Sequence, residues 1–226
     1  MTLRFDPETA VATPVAARSA TVAPGLSYRA HLKRVLDVTL VLLALPAILP
    51  VIAVFAALVA LDGGSPFYAQ ERLGLGGRRF RMWKLRSMVV DADAALARHL
   101  AADPEARAEW ARDQKLRRDP RITRVGRLIR AVSIDELPQV FNVLTGDMSL
   151  VGPRPMLPEQ RALYPGRAYY RLRPGLTGAW QVAGRGRTSF AARAEFDMSY
   201  DAALGLGADL RIIAATVGVV LRATGR

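Results

Sequence analysis

The feature that most constrains this chain is an uninterrupted run of 24 uncharged, mostly apolar residues, Val38 to Leu61, bounded by Asp37 and Asp62. About 20 such residues are enough to cross the ~30 Å hydrocarbon layer of a bilayer. A cleavable signal peptide has a shorter apolar stretch close to the amino terminus, so it fits poorly. The run therefore predicts a segment that inserts into a membrane.

Two observations favour a segment that enters the membrane and returns to the same face. Pro46 and Pro50 lie near the middle of the run, and each removes a backbone donor and favours a bend. Basic residues, which mark the cytoplasmic side, occur on both flanks: His31, Lys33 and Arg34 before the run, and Arg72, Arg78, Arg79, Arg81, Lys84 and Arg86 after it. We predict a re-entrant helix-break-helix anchor over residues 29–62; a proline-kinked spanning helix is the alternative.

The charge of the chain predicts a phosphate-bearing partner. The formal net charge is +12, and only three of the 32 basic residues are lysine. Guanidinium groups bind phosphate oxygens in pairs and do not deprotonate, so nucleic acid, a nucleotide or a lipid headgroup are the candidate partners. Codon preference for arginine is the other explanation. Without cysteine, the chain has no disulfide, thiolate zinc site or cysteine nucleophile.

The remaining sequence predicts a helix-dominated α+β fold. Residues 1–28 resemble a disordered tail, and residues 63–226 form the expected cytosolic domain. Two short apolar runs around "GLGG" predict a β-hairpin, and the region from Val89 to Leu116 is helical with an interruption at Asp103 and Pro104. The apolar run Ile212 to Leu221 is too short to cross a bilayer, so it belongs to a core helix or to an amphipathic helix in the membrane interface.

The stretch from Ser133 to Pro155 contains the strongest chemical signal. Asp135 and Glu136 are adjacent carboxylates before an apolar helical pattern, where Ser133 and Glu136 also match a capping box. The structural interpretation is helix capping. The functional interpretation is attack of a carboxylate on phosphorus to give an acyl phosphate, which needs neutralisation by arginine and usually by Mg²⁺. Arg130 and the proline-flanked Arg154 would supply the guanidinium groups.

An ordered set of motifs resembles the bacterial sugar transferase family, the monotopic polyprenyl-phosphate phosphoglycosyl transferases. The set covers the chain from about Lys33 onward: "KRVLD", the proline-containing apolar run, "QERLG", "KLRSM", "DPRITRVGRLIR", "SIDELPQVFNVLTGDMSLVGPRP" and "RPGLTGAWQVAGR". The central motif is long and ungapped, which makes it highly specific.

The resemblance implies transfer of a sugar phosphate from a UDP-sugar to undecaprenyl phosphate, with release of UMP, at the start of exopolysaccharide or other surface-glycan assembly. It places the nucleophile at Asp135 and the second carboxylate at Glu136. It assigns phosphate or substrate binding to Lys84, Arg130, Arg154 and Arg185, and Mg²⁺ to Asp135 and Asp197. It also implies a helix break at Pro50, shared with Pro46, and an inner-membrane location with the catalytic domain in the cytoplasm; a homodimer is possible.

Two other functions compete with this one. A membrane-tethered basic protein could bind nucleic acid or anionic lipid, but acidic residues interleave with the basic ones and no nucleic-acid motif occurs, so no nucleic acid is expected as a partner. A direct glycosyltransferase would release the nucleoside diphosphate instead of the monophosphate. The donor sugar is not readable from the residues; the resemblance to exopolysaccharide-initiating members favours UDP-galactose or UDP-glucose.

Overall fold

The computed structural model describes residues 27–113, 116–184 and 188–221. Within them, the α-helices are α1 Lys33–Ala60, α2 Ala92–Ala102, α3 Pro104–Asp113, α4 Arg124–Ala131, α5 Gln139–Thr145, α6 Ala168–Arg171, α7 Ala179–Ala183, α8 Arg193–Ala203 and α9 Leu206–Leu221. The strands are β1 Phe67–Leu73, β2 Arg79–Leu85, β3 Ser149–Val151 and β4 Gly175–Thr177. The predicted helix-dominated α+β class is confirmed. Of the predicted tail, only Ser27 and Tyr28 lie within the described residues.

Helix α1 is the apolar segment, and it continues through both prolines. Pro46 and Pro50 are exposed and lie inside the helix, which stays helical from Lys33 to Ala60. The sequence predicts that the prolines interrupt the helix, but the helix is continuous. Each removes one donor of the helical ladder, but packing along the rest of the helix can offset that loss.

One face of α1 packs against the folded domain along its whole length. Val41 belongs to a buried cluster with Phe80 and Val140, while Val59 packs with Leu85 and Ile129 near the other end of the helix. The other α1 side chains are for the most part exposed or half-buried, and the helical segment Tyr28–Ala60 is long and apolar enough to cross a membrane. Both ends of the apolar helix therefore contact the same domain.

A buried polar network fixes the amino-terminal end of α1. The carboxylate of Asp209, only 1% exposed, accepts hydrogen bonds of 2.6 Å from the hydroxyls of Tyr28 and Tyr200 and from Lys33 Nζ. Beside it, Arg29 pairs with Asp201 at 2.7 Å. A buried carboxylate is stable only when charged and hydrogen-bonding partners replace water, and these groups do so here. They join α1 to α8 and α9.

The predicted hairpin is confirmed as an antiparallel pair of β1 and β2. Its register places Tyr68 opposite Lys84 and Phe67 opposite Leu85. The buried side chain of Asn142 on α5 completes the hydrogen bonding of β2: its amide oxygen accepts from Trp83 N at 3.0 Å and its nitrogen donates to Arg81 O at 2.8 Å. The hairpin is thereby fixed to the helix that follows the carboxylate pair.

Helices α2 and α3 confirm the predicted helical region and its interruption. Asp103 Oδ1 accepts hydrogen bonds from the backbone nitrogens of Glu105 and Ala106, which is the capping arrangement that the sequence indicates.

Helix α9 combines both alternatives for the carboxyl-terminal run. Ile212 and Ile213 pack against the core, whereas Val217 is 54% exposed.

Candidate active site

The carboxylate pair lies in a separate turn rather than at the start of a helix. Asp135 and Glu136 belong to the short 3₁₀ turn Ile134–Glu136, and α5 begins only at Gln139. Ser133 adopts φ +58° and its side chain makes no capping hydrogen bond, so the predicted capping box is wrong. Pro138 explains the gap, because its missing donor and its ring disfavour a continuous helix from Ser133. Helix capping therefore does not account for the pair.

Glu136 instead faces two cations from distant parts of the chain. Lys84 Nζ on β2 lies 3.0 Å from Glu136 Oε1, and Arg154 Nη2 lies 3.6 Å from the same oxygen. All three side chains are roughly one-fifth to one-quarter exposed. The ion pairs therefore stand at the edge of solvent, where a phosphate could reach the cations.

Asp135, the other carboxylate of the pair, is half-buried. Burial raises the pKa of Asp135 above its ordinary value, and the adjacent charge of Glu136 adds to that effect. The positive charges of Lys84 and Arg130 act in the opposite direction. A carboxylate that is poorly hydrated but kept close to cations is a stronger nucleophile toward a phosphate than a fully solvated one.

This electrostatic balance gives a testable pH dependence. Attack requires the ionised carboxylate, so activity should fall as the pH drops through the pKa of Asp135. Lys84→Met removes a charge that lowers this pKa, and the acid limb of the kcat/KM profile should move to higher pH. At neutral pH we expect a loss of about tenfold or more, the value of a charge-assisted contact.

The matched control is Arg79→Met, which removes an exposed cation from the other end of the same strand. Its acid limb should coincide with that of the wild type. An unmoved acid limb in Lys84→Met would show that Lys84 does not set the charge state of the carboxylate pair.

The carboxylates open into a large, predominantly basic cleft. Its volume is ≈ 1320 Å³, enough for a nucleotide sugar. Asp135 and Glu136 line it together with a set of cations from β2, α2, α4 and the loops: Lys84, Arg86, Arg98, Arg121, Arg127, Arg130 and Arg154. Three arginines occur three residues apart along α4; Arg127 and Arg130 line this cleft and Arg124 does not.

The segment that carries Arg154 is held by a close crossing of two backbones. Gly152 N donates to Thr177 O at 2.9 Å, and Gly175 N donates to Pro153 O at 2.8 Å. A Cβ on Gly152 would lie 2.2 Å from Arg173 O, so this approach requires glycine. The crossing fixes the "GPRP" segment against the "RPGLTG" segment and points Arg154 into the cleft.

Asp197, the other predicted metal ligand, lies elsewhere. It lines a second, very small cavity of ≈ 10 Å³, which it shares with Arg154, Arg193 and Tyr164 but not with Asp135. Tyr164 donates a hydrogen bond of 2.9 Å to Asp197, and burial raises the pKa of Asp197 to about 6. The structure thus brings Asp135 and Glu136 together with Lys84, Arg130 and Arg154, and Asp197 lies in a second cavity that is also lined by Arg154.

Two further predictions concern Arg185 and the metal site. Arg185 lies outside the described residues. Among the described residues, no group of three or more His, Cys, Asp or Glu side chains could hold a metal ion. A protein-only metal cage is therefore absent from that part of the chain. Mg²⁺, however, is commonly held by one or two carboxylates together with substrate phosphates, a requirement that Asp135 can meet.

Sequence reasoning missed two arginines behind Arg154. Arg72 donates to Pro155 O at 3.2 Å, and the Arg193 guanidinium stacks on Trp180 at 4.1 Å. The Nε atoms of both arginines are buried with no hydrogen-bond partner among the described residues. Arg72 stands in the "QERLG" motif, which could have indicated it; no pattern in the sequence indicates Arg193.

The fold and the site define a class of protein, a domain with one apolar helix suited to a membrane and a basic cleft around two carboxylates. A model of the bacterial sugar transferase family matches residues 28–223. The chain therefore belongs to that family, as its motifs predict.

Curated relatives agree with this membership. The chain is 45% identical over 196 residues to the UDP-galactose-lipid carrier transferase of Erwinia amylovora, covering 86% of this chain and 41% of the relative. It is 42% identical over 196 residues to the exopolysaccharide production protein ExoY of Rhizobium meliloti, covering 85% of this chain and 87% of the relative. The undecaprenyl-phosphate glucose phosphotransferase of Komagataeibacter xylinus is 40% identical over 200 residues, with 82% and 35% covered. The chain thus spans less than half of some relatives and most of ExoY.

Proposed function

We propose that this protein transfers a sugar 1-phosphate from a UDP-sugar to undecaprenyl phosphate, releases UMP, and thereby starts the assembly of an exopolysaccharide or another surface glycan. The observation that carries the proposal is the carboxylate pair in a basic cleft, with Lys84 and Arg154 on Glu136 and a half-buried Asp135 beside them. The relatives whose names include undecaprenyl-phosphate galactose and glucose phosphotransferases support the substrate class.

The reaction proceeds in two displacement steps at phosphorus. A carboxylate oxygen of Asp135 attacks the phosphorus that bears the sugar, and the bond from that phosphorus to the bridging oxygen of the diphosphate breaks. UMP leaves, and the sugar phosphate remains on Asp135 as an acyl phosphate. A phosphate oxygen of the acceptor then attacks the same phosphorus and restores the free carboxylate of Asp135.

The cations of the cleft make this meeting of anions possible. Lys84, Arg130 and Arg154 neutralise the phosphate oxygens, which otherwise repel the attacking carboxylate. Glu136 holds Lys84 and Arg154 in place and, when the acceptor arrives, lies beside its phosphate. Mg²⁺ bound to Asp135 and to the donor phosphates would add charge neutralisation. Asp197 remains a predicted ligand whose position in the second cavity does not favour direct binding to the same ion.

The contacts of α1 support an anchor in the inner membrane that re-enters through a bend of the continuous helix rather than through a break, with both ends on the cytoplasmic side. Val41 and Val59, in the two halves of the helix, pack against one domain. At 1.5 Å per residue they lie about 27 Å apart along the helix, so an α1 that crossed the ~30 Å hydrocarbon layer would place the domain packed between them inside the bilayer. A homodimer stays a prediction.

Cysteine labelling tests this topology, since the chain has no cysteine of its own. Single cysteines at Ser27 and Ser65, on either side of α1, should both be protected from a membrane-impermeant thiol reagent added to intact cells. Both should react once the cells are permeabilised, which serves as the control for accessibility. Labelling of one site alone in intact cells would indicate a helix that crosses the membrane.

The leaving nucleotide tests the reaction. Membranes containing the protein, undecaprenyl phosphate and Mg²⁺ should release UMP from a UDP-sugar, and the sugar and its phosphate should appear together in the lipid product. UDP-galactose and UDP-glucose are the first donors to compare, with UDP-N-acetylhexosamines as alternatives. Release of UDP would identify a direct glycosyltransferase, and absence of turnover with every donor would contradict the proposed function.

A further inference from the structure

The two ends of α1 differ in a way that bears on how a lipid substrate reaches the cleft. The amino-terminal end is held by the buried polar network around Asp209. At the other end, Arg86 donates a hydrogen bond of 3.0 Å to Val59 O. Val90 lies close to Gly64, since a Cβ added to Gly64 would stand 3.0 Å from Val90 Cγ2. The wall of the cleft therefore begins where α1 ends.

That wall is apolar although the rest of the cleft is basic. Its exposed side chains are Tyr68 at 48%, Val89 at 37% and Val90 at 55%, and all of them line the cleft. Phe67 precedes Tyr68 on β1, so its side chain faces the other side of the hairpin. Leu58 and Leu61 at the end of α1 are also exposed, at 39% and 82%. An exposed apolar surface that continues a membrane-inserted helix is suited to an apolar ligand that comes from the membrane.

The hairpin register brings this wall next to the reactive groups. Tyr68 pairs with Lys84 across the two strands, and directly opposite residues have Cβ atoms about 5 Å apart on the same face. Lys84 in turn lies 3.0 Å from Glu136. A ligand with a phosphate beside Lys84 would therefore have its adjoining hydrocarbon against Tyr68.

We propose that Tyr68, Val89 and Val90 form the binding surface for the isoprenoid chain of the acceptor, which enters the cleft at the carboxyl-terminal end of α1. This inference rests on the proposed function and adds the direction of entry and the residues that contact the lipid. Charge and polarity select the occupant: the phosphate of the acceptor binds the cations, and its first isoprene units cover the apolar wall. A nucleobase can also stack on an aromatic ring such as that of Tyr68, so the experiment below compares the lipid with UMP.

Kinetics separate this surface from the reactive centre. In Tyr68→Ser, the KM for undecaprenyl phosphate should rise about tenfold, the effect of losing one aromatic contact. Release of UMP without acceptor, which reports only the first step, should stay close to the wild-type rate. Trp83→Ser is the matched control, because Trp83 is a 38% exposed aromatic residue of the same hairpin that does not line the cleft. Its KM should not change.

Single cysteines test the contact without relying on turnover. Undecaprenyl phosphate should slow the reaction of a thiol reagent with Val90→Cys but not with Leu163→Cys, whose parent side chain is 63% exposed outside the cleft. Equal KM values for Tyr68→Ser and the wild type, or protection of Val90→Cys by UMP instead of the lipid, would overturn the inference. If the wild type released UDP or formed no product, the proposed function would fail, whereas lipid protection of Val90→Cys would still support the lipid surface.

Discussion

Asp135→Asn should abolish both the burst of UMP and the transfer of label from a UDP-sugar to the protein. The substitution removes the anionic oxygen that attacks phosphorus, and we expect transfer to fall by about 10³-fold or more. Asparagine has nearly the same shape, and the carboxylate makes no helix cap, so the free energy of unfolding should change little. The measurement is a quench of wild type and variant with labelled donor and no acceptor, followed by detection of label on the denatured protein.

Glu136→Gln is the matched control for this experiment. It should still be labelled, because the proposed contribution of Glu136 is to hold Lys84 and Arg154 and to assist the acceptor. Passage of the group to undecaprenyl phosphate should be slow. Label that survives in Asp135→Asn but disappears in Glu136→Gln would reverse the two roles. A wild type that is never labelled, and that needs both substrates together, would contradict the covalent mechanism.

Gly152→Ala should destabilise the domain and displace Arg154. The new Cβ would stand 2.2 Å from Arg173 O, a backbone atom that can move only if β3 and β4 separate. We expect a loss of about 3 kcal/mol in the free energy of unfolding, the upper range for overpacking in a closely packed site. Thermal unfolding in detergent or nanodiscs measures the stability, and transfer activity should fall along with it.

Gly205→Ala provides the comparison, since its nearest neighbour would be a backbone oxygen at 3.8 Å and its φ is not in the left-handed region. That variant should unfold at about the wild-type temperature. If Gly152→Ala matched it, the crossing of the "GPRP" and "RPGLTG" segments would not be the constraint that positions Arg154.

Local patterns were reliable where the relevant interactions are close in sequence. The hairpin, and the boundary between α2 and α3 at Asp103, follow from turn residues and caps that act over a few positions. The predicted start of α5 is wrong, although that prediction also relied on residues close in sequence. Ser133 and Glu136 match a capping box, but Pro138 is incompatible with a helix through that box, and the chain forms a 3₁₀ turn instead.

The candidate site was predicted only in part because its members come from distant segments. The sequence motifs indicated Asp135, Glu136, Lys84, Arg130 and Arg154 by resemblance, and the structure brings these five to one cleft. Resemblance also grouped Asp197 with Asp135 as metal ligands. The packing of α8 places Asp197 against Tyr164 in a small cavity that is also lined by Arg154, and nothing in the order of residues could reveal that position.

The order of residues alone is sufficient to predict an apolar segment long enough for a membrane, a strongly basic remainder, a hairpin, and a carboxylate pair within a family-specific motif. The surroundings of those features follow from the packing of the whole chain. In the folded protein, both ends of α1 pack against one domain. Glu136 forms ion pairs with Lys84 and Arg154 instead of a capping box, and an apolar wall lies beside these groups at Tyr68. The physical reason is that caps and periodicity depend on neighbours a few residues away, whereas burial, ion pairing and exposure depend on segments that meet only when the whole chain packs.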